Sequence, residues 1–218
     1  MVTLHRSIEQ LHRELVVICT MIESMLSDAV RSLSESVSVL GDIQELQPLV
    51  YQRAIRLEHK CLELLTLQQP VASDLRRIAA VLKVNQELSS ISKLAVEIAV
   101  NASHFNSSSY SLVTTELEQM AYQSVNSVSE SVEAYIRADE SRACNAFEIR
   151  GHITKQYAAV LDALKQAVKQ DADAVVEATY LLECARAISL LVDFSSNIAA
   201  HVYYLKHGRI LPRRQRVA

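Results

Sequence analysis

Apolar residues recur three and four positions apart through Leu4, Ile8, Leu11, Leu15, Ile18, Ile22, Met25, Leu26, Val30 and Leu33. That spacing lines one face of an α-helix, so the pattern predicts a long amphipathic helix ending near Gly41-Asp42. A second helix carries Leu46, Val50, Ile55, Leu57, Leu62 and Leu65 and stops before Pro70. Proline loses nothing at the first position of a helix, where its missing N–H would be unpaired anyway. Pro70 is therefore read as the start of a third helix reaching about Asn101. The stretch NASHFNSSSYS, residues 101–111, is polar and poor in helix formers, and reads as a linker.

Past that stretch the pattern restarts, predicting helices over about 115–138, 141–170 and 172–207, before Gly208. Long, medium, long is followed by long, medium, long. At an offset of about a hundred, Met21 matches Met120, Val50 matches Ile153 and Leu88 matches Ile188. LAVEIA at 94–99 matches FSSNIA at 194–199. The expected fold is all-α, six long helices forming two tandem-repeated three-helix bundles on a shared apolar stripe. The expected organisation is a first repeat over 1–104, a linker over 105–112, a second repeat over 113–208 and a basic tail over 209–218.

Composition narrows the class. Three glycines and three prolines in 218 residues are too few for the turns of a sandwich or barrel, or for a phosphate-cradling loop. No nucleophile motif stands out, so a non-enzymatic role is expected. The net charge of -3 implies neither nucleic acid nor an anionic membrane surface as partner. The tail, with four arginines and no acid, is read as a solvated end that could be removed without loss of fold. Cys19, Cys61, Cys144 and Cys184 form no Cys-x-x-Cys pair and read as small buried residues in a reducing compartment. No signal-peptide core or membrane-length apolar run is present, so a cytoplasmic protein is expected. The seven histidines make no His-x-x-x-His pair, and Glu9-x-x-His12 stands alone where a ferritin-like di-iron centre needs two such motifs. His201 and His207 are expected to be exposed or to complement the last helical turns.

QPVASDLRRIAAVLKVNQEL, residues 69–88, resembles the signature of the PhoU family of helical regulators of bacterial phosphate uptake. The end of the second copy, NIAAHVYYLKHG at 197–208, resembles the way those proteins end. Signature positions are Pro70, Asp74, Leu75, Arg76 and Lys83. Asp74 and Arg76 are expected to compensate the helix dipole, pair within the helix and support the hairpin. In the family, each repeat carries acids four residues apart on its second and third helices. Facing helices then pool carboxylates around iron, zinc or other divalent cations.

Here the resemblance puts Gln47 and Tyr51 on the second helix at those positions, with Ser89 and Lys93 on the third. On the fifth it puts Arg150 and Thr154, and on the sixth Ser189 and Asp193. Asp193 alone keeps a carboxylate, so no metal or other cofactor is expected. An independent check supports the placement. Gln47 and Lys93, like Tyr51 and Ser89, are equidistant from the turn at 69–70. Arg150 with Asp193, and Thr154 with Ser189, are equidistant from the turn near Asp171. Equidistant residues of an antiparallel helical hairpin lie level with one another. An Arg150–Asp193 ion pair is therefore expected in place of a bridging ion. In the first repeat, Gln47, Tyr51 and Ser89 are expected to hydrogen-bond around Lys93, with Glu97 one turn on.

The resemblance implies repression of phosphate uptake and of the starvation response when phosphate is plentiful. It implies contact with a phosphate-specific ABC transporter and a membrane sensor histidine kinase, and a homodimer. Alternatives are a metal-binding or storage bundle, a structural or membrane-surface scaffold, and a diverged paralogue serving another phosphate carrier.

Overall fold

The structure, a computed structural model, describes residues 2–33, 39–104 and 111–211. Six helices follow in order: α1 Val2–Arg31, α2 Leu40–Gln68, α3 Ala72–Ala102, α4 Ser111–Arg137, α5 Glu140–Gln170 and α6 Val175–His207. One turn of 3₁₀ helix, Ala172–Ala174, leads into α6. Most of the linker expected at 105–112 and most of the basic tail lie outside the described residues. Arg209 and Ile210 of the tail are exposed.

The fourth helix begins at Ser111, inside the stretch read as a linker, and two further boundaries differ from the sequence reading. The first helix ends at Arg31, and Gly41 and Asp42 lie in the first turn of α2. The chain leaves α1 where serines begin, and the Ser32 hydroxyl donates to the Ala29 carbonyl at 2.6 Å. Such hydroxyls offer the backbone an alternative to continued helix. Asp42 instead serves the second helix, its negative charge meeting the positive end of the dipole. Pro70 likewise stands before α3 and not at its first position. Proline clashes with a right-handed residue before it, and Gln69 leaves α2 in the left-handed region at φ 42°. Val71 is extended, and its carbonyl accepts the N–H groups of Asp74 and Leu75 at 2.8 and 3.3 Å.

Within each repeat all three helices touch one another, and between repeats α3 lies along α6 and α1 meets α4. One apolar core runs through both. Val50 and Ile153, and likewise Leu88 and Ile188, are fully buried, so the repeated positions do the same work twice. The helices are not equivalent in burial. Along α6 the buried residues, from Ala187 and Ile198 through Cys184 and Leu181 round to Ala178 and Ala200, cover more than half of the circumference, as a central helix requires. By contrast α2 buries only Ile43, Val50, Ala54, Leu57 and Cys61, a seam of the narrow coiled-coil type. The outer helix of the second repeat, α5, does the same with Ala143, Ala146, Ile153, Val160 and Leu164.

Buried hydroxyls sit inside this core, where each must find a partner. Ser127 of α4 and Ser195 of α6, both fully buried, share a hydrogen bond of 2.7 Å. Small side chains there let the helices approach closely. Three cysteines are buried, and burial pushes the Cys19 and Cys61 thiols up to about 12. Cys144, expected to be buried, is exposed instead, because it lies off the narrow inner seam of α5. His207 is exposed at the end of α6, its Nε2 3.1 Å from the Glu140 carboxylate in the first turn of α5. His201 is half-buried rather than exposed. Among the described residues, no helix is long and apolar enough to cross a membrane.

The turn between α4 and α5 makes a test of local strain. Asp139 caps α5, accepting the N–H groups of Ser141 and Arg142 at 3.0 and 3.2 Å and the Ser141 hydroxyl at 2.8 Å. The Ser141 hydroxyl and these N–H groups hold its carboxyl below the usual range. To reach the cap, Ala138 takes φ 51°, where its Cβ crowds the backbone. Ala138→Gly should raise stability by about 0.5–1 kcal/mol, read as a higher urea midpoint with unchanged slope. A lower midpoint would mean that the turn is not left-handed in solution.

Candidate functional site

The level rungs read from the sequence can be placed on α2–α3 and α5–α6. In the second hairpin Arg150 Nε donates to Asp193 Oδ1 at 2.5 Å. Thr154, one turn on, is exposed and donates its hydroxyl back to the Arg150 carbonyl at 2.9 Å. Ser189 is half-buried on α6. The register is carried at depth by Ser196, whose hydroxyl donates to the Ala146 carbonyl at 3.4 Å.

The first hairpin is built differently. Asn85 Nδ2 donates to the Ala54 carbonyl at 2.9 Å, tying α3 to the backbone of α2. Tyr51 and Ser89 border one groove above this bond, together with Lys83. The expected polar cluster around Lys93 does not form. Ser89 gives its hydroxyl to the Asn85 carbonyl at 2.9 Å, and Lys93 is exposed. Among the described residues, no hydrogen bond joins Gln47, Tyr51 or Ser89 to Lys93. One turn on, Glu97 faces the other repeat and pairs with Arg186 of α6.

Signature positions fall at the start of α3. Asp74 is in its first turn, Leu75 is exposed and Lys83 is exposed. Among the described residues, Arg76 does not make the ion pair within its own helix that was expected. Its guanidinium packs beside Gly208, so near that a Cβ on Gly208 would stand 3.4 Å from Nη1. The signature arginine thus links the start of α3 to the end of α6.

The contacts between α3 and α6 escaped the sequence reading, two of them polar side-chain pairs. Glu97–Arg186 and Glu87–Asn197 (3.1 Å) both cross from α3 to α6. Asn85 had a readable signal. With Val81, Val84 and Leu88 it occupies an apolar stripe, and an amide there must find a buried partner.

A divalent cluster needs several hard oxygen donors free of competing cations. The eight positions supply one carboxylate, Asp193, already held by a guanidinium, with Lys93 exposed on the other hairpin. Among the described residues, no three His, Cys, Asp or Glu side chains gather into a group able to hold a metal. These residues do not fit the cluster that the resemblance implies.

The chain is thus a duplicated bundle whose paired hairpins present polar surfaces. The PhoU domain matches residues 15–102, from within α1 to the end of α3. The phosphate-specific transport system accessory protein PhoU of Escherichia coli strain K12 is 23% identical over 203 residues, covering 93% of this chain and 84% of that protein. The Pseudomonas aeruginosa homolog is 25% identical, covering 92% and 84%. The crystal structure of PhoU from Pseudomonas aeruginosa aligns with a TM-score of 0.83 at 21% identity, covering 94% of this chain and 99% of that one. The phosphate transport system regulatory protein PhoU from Streptococcus pneumoniae aligns with a TM-score of 0.87 at 18% identity, covering 96% and 99%. Residues 15–102 match the PhoU domain, and the chain as a whole is similar to PhoU proteins in sequence and in fold.

The side chains of Arg150 and Asp193 are 36% and 45% exposed, so water screens their attraction. A double-mutant cycle with Arg150→Ala and Asp193→Ala should give a coupling of about 0.3–1 kcal/mol. Zero coupling would mean that the two side chains are solvated separately.

Proposed function

We propose that this protein is a non-enzymatic accessory regulator of phosphate transport, acting through its surfaces and without a metal cluster. The observation that carries this reading is the correspondence with PhoU accessory proteins along more than nine-tenths of the chain. The intact signature at the start of α3 supports it. In this reading the protein holds back phosphate uptake and the starvation response when phosphate is plentiful, as an adaptor between a phosphate-specific ABC transporter and a sensor kinase in the cytoplasm. It works as a homodimer and touches the membrane only through those partners.

Deleting the gene should raise phosphate uptake and starvation-gene expression in phosphate-rich medium. Unchanged uptake and expression, in a strain without a second protein of this family, would overturn the regulatory reading.

Loss of the carboxylates removes both the ligands and the mutual repulsion that a divalent ion would offset. The purified protein should therefore carry no stoichiometric iron, zinc or manganese by elemental analysis. One or more ions per chain, retained through dialysis, would overturn the metal-free part of the proposal.

A further inference from the structure

At the end of the molecule where α3 begins, a cavity of about 320 Å³ opens between α1, α3, α4 and the last turns of α6. His12, Ser73, Arg76, Arg77, Tyr135 and Leu205 are among the residues that line it, and none of the lining residues is a carboxylate. Three buried polar atoms of this wall lack a hydrogen-bond partner: His12 Nε2, Arg76 Nε and the Tyr135 hydroxyl. Tyr135 as a whole is 1% exposed. Buried donors without partners are rare, and a group of them around one cavity calls for an acceptor. Among the described residues neither Arg76 nor Arg77 pairs with a carboxylate, and Arg77 Nη1 reaches only His5 Nδ1 at 3.5 Å.

We propose that this cavity binds a phosphate-sized oxyanion, free or as the end of a small phosphate monoester, held by Arg76, Arg77, His12 and Tyr135. The donors come from three helices and so approach from different directions, which suits a tetrahedral anion better than a flat carboxylate. The His12 and Tyr135 rings stack with centroids 5.7 Å apart, fixing each other's direction. Burial, and then the charge of Arg77, hold His12 below its ordinary value, so the neutral ring has one N–H to give. Burial pushes the Tyr135 phenol up, which keeps its proton available. The duplication supplies a control within the chain. One hundred residues on, Val176 and Glu177 occupy the positions of Arg76 and Arg77. Helix packing alone therefore does not require the two cations.

The test is calorimetric titration of the full chain, in buffer free of phosphate and sulfate, with inorganic phosphate, glycerol 3-phosphate and acetate. One site per chain for either phosphate compound is expected, weakened roughly tenfold or more by Arg77→Gln or Tyr135→Phe. Lys155→Gln, on the exposed face of α5, should bind as the parent does. Tighter binding of the monoester would support the site and name the ester as its source, and equal binding would support it and name the free anion. A second readout guards against misfolded variants. Tyr135→Phe should melt higher than the parent without phosphate, because it removes an unpaired hydroxyl, yet gain less from added phosphate. No binding of either phosphate compound up to about 10 mM, equal binding of acetate, or variants that bind like the parent would overturn the proposal. It does not rest on the regulatory reading, which is tested in cells and stands or falls separately.

Discussion

Everything in this bundle depends on the antiparallel seam between α3 and α6. Four contacts mark it from end to end: Arg76 beside Gly208, Glu87 with Asn197, Glu97 with Arg186, and the Cys184 thiol on the Ile98 carbonyl. In each, the residue numbers sum to nearly the same value, the mark of two straight helices in one unbroken register. Apolar burial supplies the bulk of the attraction along this seam but is nearly indifferent to sliding. The polar contacts are directional, and they fix the register.

From that seam the division of labour among the helices follows. The two central helices are committed on most of their circumference, and their sequences are constrained accordingly. The outer pair, α2 and α5, spend one narrow stripe on the core and keep the remainder for solvent. Change is therefore least costly on the outer faces and on the strips of α3 and α6 that border them. That is where the eight rung positions lie, Gln47, Tyr51, Ser89, Lys93, Arg150, Thr154, Ser189 and Asp193. None of the eight is among the buried residues, and the backbone agrees with PhoU crystal structures at TM-scores of 0.83 and 0.87.

Much of this was legible in the sequence, for a physical reason. Helical periodicity and the duplication are properties of the whole pattern, and few glycines or prolines interrupt them. Levels within a hairpin could be counted from its turn, which is why Arg150 and Asp193 could be matched. The seam between repeats has no such turn to count from, because a polar stretch and α4 and α5 intervene. Glu97 was therefore assigned to Lys93 on its own helix, when its partner is Arg186 on another. Helix ends were misjudged where short-range chemistry decides them, at Ser32 and around Pro70.

The two hairpins began as copies, and they no longer match. One flank carries an exposed lysine beside neutral side chains, and the other carries a guanidinium neutralised by a carboxylate. A perfectly repeated body could be turned over on a partner without either molecule sensing the difference. Unlike flanks remove that ambiguity. The duplicated molecule has a head and a tail, and only one of its two ways of lying across another surface puts the lysine flank in a given place.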